Sequence, residues 1–308
     1  MPDCLSHSLL LRVVGGLTTG SIYALIALGY TLVYGVLRLI NFAHSEVFMF
    51  GTFGGLIPLI WLSHHGNVTN AWYLAIAAIP AMAFAAGIAF LLERLAYRPL
   101  RRRGATRLSF LISAIGASLF LQSVVLVWRG RDYETYPDTW KVKQLFTIGN
   151  VQISNHDILV FGVMIVMVIA LDLLVHRTRI GKGIRAVAQD PETAGLMGVN
   201  IDRIITATFI IGGILAGVAG LMYGLRFNTR FDIGFIPGIK AFTAAVLGGI
   251  GNIRGALVGG IVLGLLENIG AGCFGDQWKN VIAFGVLVLV LMFRPTGLLG
   301  EGVSAQKA

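Results

Sequence analysis

The run Ile158-Leu-Val-Phe-Gly-Val-Met-Ile-Val-Met-Val-Ile-Ala-Leu-Asp-Leu-Leu-Val175 has a single charge, Asp172, and stops at His176-Arg177-Thr178-Arg179. As a helix it rises about 27 Å, close to the roughly 30 Å hydrocarbon thickness of a bilayer. Lipid offers backbone groups no partners, so a segment that crosses it must bond internally as a helix. The arginines that follow read as its cytoplasmic end.

Working outward, nine apolar segments can be read: Leu9–Val36, Phe42–Leu62, Trp72–Ala96, Leu108–Trp128, Ile158–Val175, Ile204–Leu225, Ile239–Ile250, Ala256–Ala271 and Trp278–Phe293. Of the 308 residues, 56% are hydrophobic and only 13% charged, with a mean hydropathy of +0.79. A soluble domain carries about 25% charged residues, and so few charges cannot cover a surface facing water. The expected fold is all-α, a polytopic transmembrane helical bundle of 8–9 membrane segments forming a single domain over 1–308. Ile239–Ile250 is short and glycine-rich, and reads either as re-entrant or as half of a broken helix. Cys4 and Cys273 make no metal-ligand spacing and no disulfide framework. The N-terminus lacks a basic stretch followed by a cleavage site and reads as retained.

The loop after the third segment holds Arg98, Arg101, Arg102, Arg103 and Arg107 with no acid among them, and the loop after the fifth holds Arg177, Arg179, Lys182, Arg185 and Arg203. The positive-inside rule places both in the cytoplasm, together with Arg254, Arg294 and Lys307, and puts the N-terminus outside. The net charge of +9 therefore lies where topology needs it and does not imply nucleic acid. Outside lies one long loop, Arg129–Asp157, of mixed charge. Its Val142–Ile153 stretch, with Gly149-Asn150, predicts a small hairpin.

The cytoplasmic stretch 181–200 contains Asp190-Pro191-Glu192, which reads as a helix start: a side-chain cap, proline at the first position and an acid at the positive dipole end. Gly198 and Asn200 can end that helix, leaving about two turns between two spans. A capped helix presenting Ala194, Leu196 and Met197 suits docking into a groove of another protein; the plainer reading lays it on lipid headgroups.

From Arg185 to Arg203 the sequence resembles the coupling segment of LivH-type permeases, the membrane subunits of branched-chain amino-acid ABC importers. The resemblance continues in Gly29-Tyr-Thr-Leu-Val-Tyr-Gly-Val, Ile40-Asn-Phe-Ala-His-Ser-Glu-Val, Lys240-Ala-Phe-Thr-Ala-Ala-Val-Leu-Gly-Gly-Ile-Gly and Arg294-Pro-Thr-Gly-Leu-Leu-Gly. It departs at Ser45, where the family commonly has glycine, and at Arg254, where it has proline. The resemblance implies a coupling segment over 182–203 and a partner set: a second homologous permease, two ATP-binding cassette subunits and a periplasmic amino-acid-binding protein. The binding protein would dock on the loops around 129–157 and 226–237. ATP and Mg belong to the partners, because this chain has no Gly-x-x-x-x-Gly-Lys-[Ser/Thr] loop. It is expected to be a multi-pass protein of the bacterial inner membrane, in contact with lipid, and neither an enzyme nor a metal protein.

Small residues four apart let helices approach closely in lipid. Gly213, Gly217, Gly220 and Gly224 recur on one segment, and Gly251, Gly255, Gly259, Gly260 and Gly264 around another. They read either as packing within the chain or as a seam against a second permease. Tyr30, Asn41, His44 and Glu46 are candidates for a pathway or gate, since ionisable groups at membrane depth are costly; Asn41 and Glu46 can equally cap and charge a helix start. Glu267 and Asn268, near the external mouth, are candidates for contact with a zwitterionic substrate. Asp172 and His176 read as a local pair one turn apart.

Leucine, isoleucine and valine lead as cargo, with other neutral amino acids, urea and short amides open. An ion-coupled secondary transporter is the rival class, though the mid-membrane is almost free of the acids it would use. An intramembrane enzyme has no support: neither His-Glu-x-x-His nor Gly-x-Ser-x-Gly is present.

Overall fold

A computed structural model describes residues 9–65, 70, 72–137, 144–148 and 151–300. The helices are α1 (Leu9–Leu37), α2 (His44–His65), α3 (Trp72–Arg102), α4 (Arg107–Arg129), α5 (Asn155–Arg177), α6 (Arg179–Gln189), α7 (Pro191–Leu196), α8 (Ile201–Gly224), α9 (Phe235–Gly248), α10 (Ile253–Phe274) and α11 (Asp276–Phe293). Among the described residues, eight helices are long and apolar enough to cross a membrane. In the external loop, β1 (Gln144–Ile148) pairs antiparallel with β2 (Val151–Ser154), the expected hairpin; its turn, Gly149-Asn150, and Lys307 lie outside the described residues.

Contacts fix which helix ends lie together. Asp157, at the start of α5, accepts from Thr18 of α1 and from Arg226 just past α8. At the other end, Arg101 of α3 reaches Asp202 of α8 at 2.6 Å. The backbone N–H groups of Leu298 and Leu299 donate to the carbonyls of Leu247 and Gly248, where α9 stops. This end carries the arginine-rich loops and is the cytoplasmic one. Cys273, at the opposite end of α10, is disulfide-bonded, which corrects the sequence reading and suits an oxidising exterior.

The centre is α1, α2 and α8, whose apolar windows are the most buried; α4, α5 and α11 form the rim. Helices α1 and α10 cross antiparallel with glycines facing. A Cβ on Gly264 would lie 2.4 Å from the Cα of Gly20, and one on Gly260 2.5 Å from the Cα of Ala24. Gly213 and Gly217 of α8 meet the backbone of Ala85–Ala86 and Ala81–Met82 of α3, and Gly220 meets Phe48 and Gly51 of α2. Gly255 and Gly259 of α10 face Gly248 and Ala244 of α9. These glycines therefore pack the chain against itself.

Candidate functional site

Two crossings are interrupted at the same depth. His44, the first residue of α2, lies against Gly29 of α1 and Gly212 of α8, so α2 starts about 12 Å inward of the end of α1. The return is made by Arg38, which has φ 52, the one positive φ outside glycine among the described residues, and by the turn at Asn41–Ala43. The second interruption follows α8. Residues 226–234 run inward from the external end; Thr229 reaches Thr52, and a Cβ on Gly234 would sit 2.3 Å from the Ser45 carbonyl oxygen. There α9 begins. At 14 residues it rises about 21 Å, too short to span, and it completes the crossing to the cytoplasmic end. The segment read as re-entrant or broken is thus the inner half of a broken span.

The two helix starts meet at Glu46, which is fully buried. Its Oε1 accepts from Gln122 (2.9 Å), Ser118 (3.0 Å) and Ser45 (3.2 Å). Its Oε2 has no hydrogen-bond partner among the described residues and faces Gly234, the residue that caps α9. A carboxylate in the first turn of α2 and against the start of α9 is favoured by both dipoles. His44 packs edge-on against Tyr30, centroids 4.7 Å apart. Asn41 does not cap α2: its Oδ1 accepts from the Tyr97 hydroxyl at 2.5 Å. Tyr97 closes the π-helical turn Glu93–Tyr97 of α3, a local widening often found at functional sites.

Beside this junction lies a cavity of about 540 Å³ between α4 and the starts of α2 and α9, lined by Tyr30, Ser45, Ile115, Ser118, Leu119, Gln122, Asp232, Ile236 and Ile239 among others. On the external side of Asp232 is a second, of about 300 Å³, lined by Tyr23, Tyr133, Tyr223, Lys240, Glu267 and Asn268 among others. Glu267 does not stand free: its Oε1 accepts from the Lys240 ammonium at 2.8 Å and its Oε2 from Tyr23 at 3.0 Å.

On the cytoplasmic face, Asp190 caps α7, accepting from the Glu192 backbone at 3.0 Å and from the Thr193 hydroxyl. The Thr193 hydrogen bond holds its carboxyl below the ordinary carboxylate value. Pro191 takes the first position, Glu192 lies in the first turn, and Gly198 turns out of the helix at φ 84. Leu196 and Met197 are 88% and 80% exposed, whereas Ala194 is 5% exposed. Ala194 turns inward, so only Leu196 and Met197 are presented. Arg38 donates to the carbonyls of Ala188 (3.2 Å) and Gln189 (3.4 Å), joining the α1–α2 turn to the residues just before α7.

Residues 12–291 match the family described as "Branched-chain amino acid transport system / permease component". The chain belongs to this family of branched-chain amino-acid permeases. It is 45% identical to the high-affinity branched-chain amino acid transport system permease protein BraD of Pseudomonas aeruginosa over 98% of both chains. It is 40% identical to the corresponding protein LivH of Salmonella typhimurium and 39% to LivH of Escherichia coli K12, each over 94% of this chain and 95% of the relative. This favours an ABC permease for branched-chain amino acids over one for urea or short amides, and over an ion-coupled transporter.

Several residues of the permease's site were not singled out from its sequence. Ser118 and Gln122 were findable, being polar residues one turn apart in the apolar segment Leu108–Trp128. Lys240 was findable as a lone cation at membrane depth. The arginines at the end of α3 are paired with acids: Glu93, fully buried, accepts from Arg98 and Arg101 (3.2 Å each), and Asp202 pairs with Arg101 and Arg102. His176 and Asp172 form the local pair expected of them, at 3.3 Å.

Proposed function

We propose that the permease forms half of the membrane pathway of an ATP-driven importer in the bacterial inner membrane. A second homologous permease forms the other half, two ATP-binding cassette subunits dock beneath, and a periplasmic amino-acid-binding protein delivers leucine, isoleucine or valine from above. ATP and Mg stay on the cassette subunits. The observation that supports this best is α7. A six-residue helix with a side-chain cap, proline at its first position and two large apolar residues left in water suits insertion into a groove of another protein. Its neighbour α6 ends on the two carbonyls held by Arg38, so a push on α7 reaches the α1–α2 turn. Asp190, Pro191 and Glu192 set the start of the helix, Gly198 lets the chain leave it, and Leu196 and Met197 make the contact. Ala194 serves the packing beneath.

The test reconstitutes the chain with its companion permease, cassette subunits and binding protein in proteoliposomes. Leu196→Asp with Met197→Asp is expected to abolish leucine uptake and substrate-stimulated ATP hydrolysis while the chain still inserts in the membrane. Undiminished uptake by the double variant removes the coupling assignment. Ala194→Asp is not an equivalent test, because a buried charge there lowers the amount of folded protein.

A further inference from the structure

Asp232 and Ile236 line both the external cavity of about 300 Å³ and the inner one of about 540 Å³. The strand of chain between Arg230 and Ile236 is therefore the wall between them, held by the bidentate Arg230–Asp232 pair. The two cavities differ in chemistry. The external one holds a buried ammonium, Lys240, which spends one of its three donors on Glu267, with Asn268 and the rings of Tyr133 and Tyr223 nearby. The inner one is mostly aliphatic, with Ile115, Leu119 and Ile239, and carries its polar groups at one end: Ser45, Ser118 and Gln122, the three residues that hydrogen-bond Glu46. That end abuts the start of α9, which has no side-chain cap, and the unpartnered Oε2 of Glu46.

We propose that these cavities are successive stations for a zwitterionic aliphatic amino acid, and that the Arg230–Ile236 segment is the wall it must pass. Outside the wall, the remaining Lys240 donors face the α-carboxylate. Inside it, the carboxylate meets the N–H of Ile236, the donor left at the start of α9, since Phe235 and Gly238 donate to the carbonyls of Asp232 and Gly234 and Pro237 has no N–H. The α-ammonium turns to the Ser118–Gln122–Glu46 end, and the side chain lies on Ile115, Leu119 and Ile239. The volume suits the cargo, since small-ligand pockets run from roughly 300 to 1,000 Å³. The assignment rests on the reading of this chain as an amino-acid permease and adds to it the place where the amino acid is held.

The full complex, with its companion permease, cassette subunits and binding protein, is tested in proteoliposomes for ATP-driven uptake of labelled leucine. Leu119→Trp fills the inner cavity and is expected to lower uptake roughly tenfold. Val127→Trp, on the same helix but 89% exposed and away from the cavity, leaves it unchanged. Equal uptake by the two variants overturns the assignment and leaves the inner cavity as a lipid groove. Should tryptophan prevent assembly, Ser118→Cys decides: thiol labelling in the assembled complex slows during leucine transport, and a rate indifferent to leucine overturns the proposal. Co-purification of cassette subunits with the unsubstituted chain is read first. Its failure counts against the importer reading; failure of the tryptophan and cysteine tests in an intact complex counts against the stations alone.

Discussion

The pair Lys240–Glu267 lends itself to a quantitative prediction. The two groups are 2.8 Å apart, with side chains 6% and 4% exposed, and link α9 to α10 across the interface where Gly259 faces Ala244. Glu267→Gln keeps the shape and the neighbouring Tyr23 but leaves the Lys240 ammonium buried without its anion. Breaking a buried pair from one side costs about 3–5 kcal/mol, whereas replacing both partners by apolar residues of similar size is often neutral. With an unfolding entropy of about 2.1 cal/mol/K per residue, the 308-residue chain loses roughly 5–8 °C of its thermal midpoint in the single variant. Lys240→Met with Glu267→Leu is expected to recover most of that loss. The assay is thermal unfolding in detergent, followed by monodisperse recovery, of the wild type, Lys240→Met, Glu267→Leu and their double variant, with Glu267→Gln beside them. A double variant as unstable as the sum of the two singles would refute the account, because the stability would then not come from neutralising a buried charge.

Other consequences follow from the same contacts. Gly259→Ala puts a Cβ 2.0 Å from the carbonyl oxygen of Ala244, a backbone atom that cannot yield, and is expected to cost about 1–3 kcal/mol or more in the same melting assay. Gly116→Ala on α4 meets nothing within 4 Å and should gain about 0.5–1 kcal/mol. Arg38→Ala removes both hydrogen bonds to the end of α6; uptake in the reconstituted importer should fall several-fold while ATP hydrolysis persists, and Arg38→Lys should restore part of it. Asp190, whose carboxyl is held below its ordinary value, stabilises α7 fully above the unfolded value of about 3.9 and loses that contribution as pH falls through the lowered one. The protection that Asp190 gives the amides of 192–196 relative to Asp190→Asn should therefore stay constant between pH 6 and 8, read by exchange mass spectrometry at each pH.

The bundle was legible because lipid enforces helices and the arginines choose their direction; neither inference needs contacts between distant residues. The start of α7 was legible for the same reason, since Asp190, Pro191 and Glu192 act within one turn. Its inward side was not: whether Ala194 or Leu196 faces out depends on how α6 and α8 hold the helix, and spacing over six residues leaves that open. Glu267 and Lys240 are 27 positions apart and meet because α9 and α10 are antiparallel. Asn41 gave a false local signal. A cap and a long-range acceptor look alike in sequence, and the π-turn of α3 brings Tyr97 to it.

The coincidence of the two broken spans bears on how such a permease can work. On the coupling proposed for α7, its displacement would be carried by Asp190 to the end of α6, where Arg38 holds the carbonyls of Ala188 and Gln189. Arg38 is also the residue whose φ turns the chain back into the membrane, so the α1–α2 turn cannot stay in place unless those hydrogen bonds break. The turn leads within six residues to His44, and Ser45 beside it leaves no room for even a Cβ on Gly234. Close-packed backbones of this kind shift together or separate; they do not deform by fractions. Movement of α2's first turn therefore displaces the start of α9, and with it the Arg230–Ile236 wall between the two cavities. A helix start placed at mid-membrane costs little when Glu46 answers both dipoles, and it puts the movable part of the wall where an unbroken span would have put a rigid one.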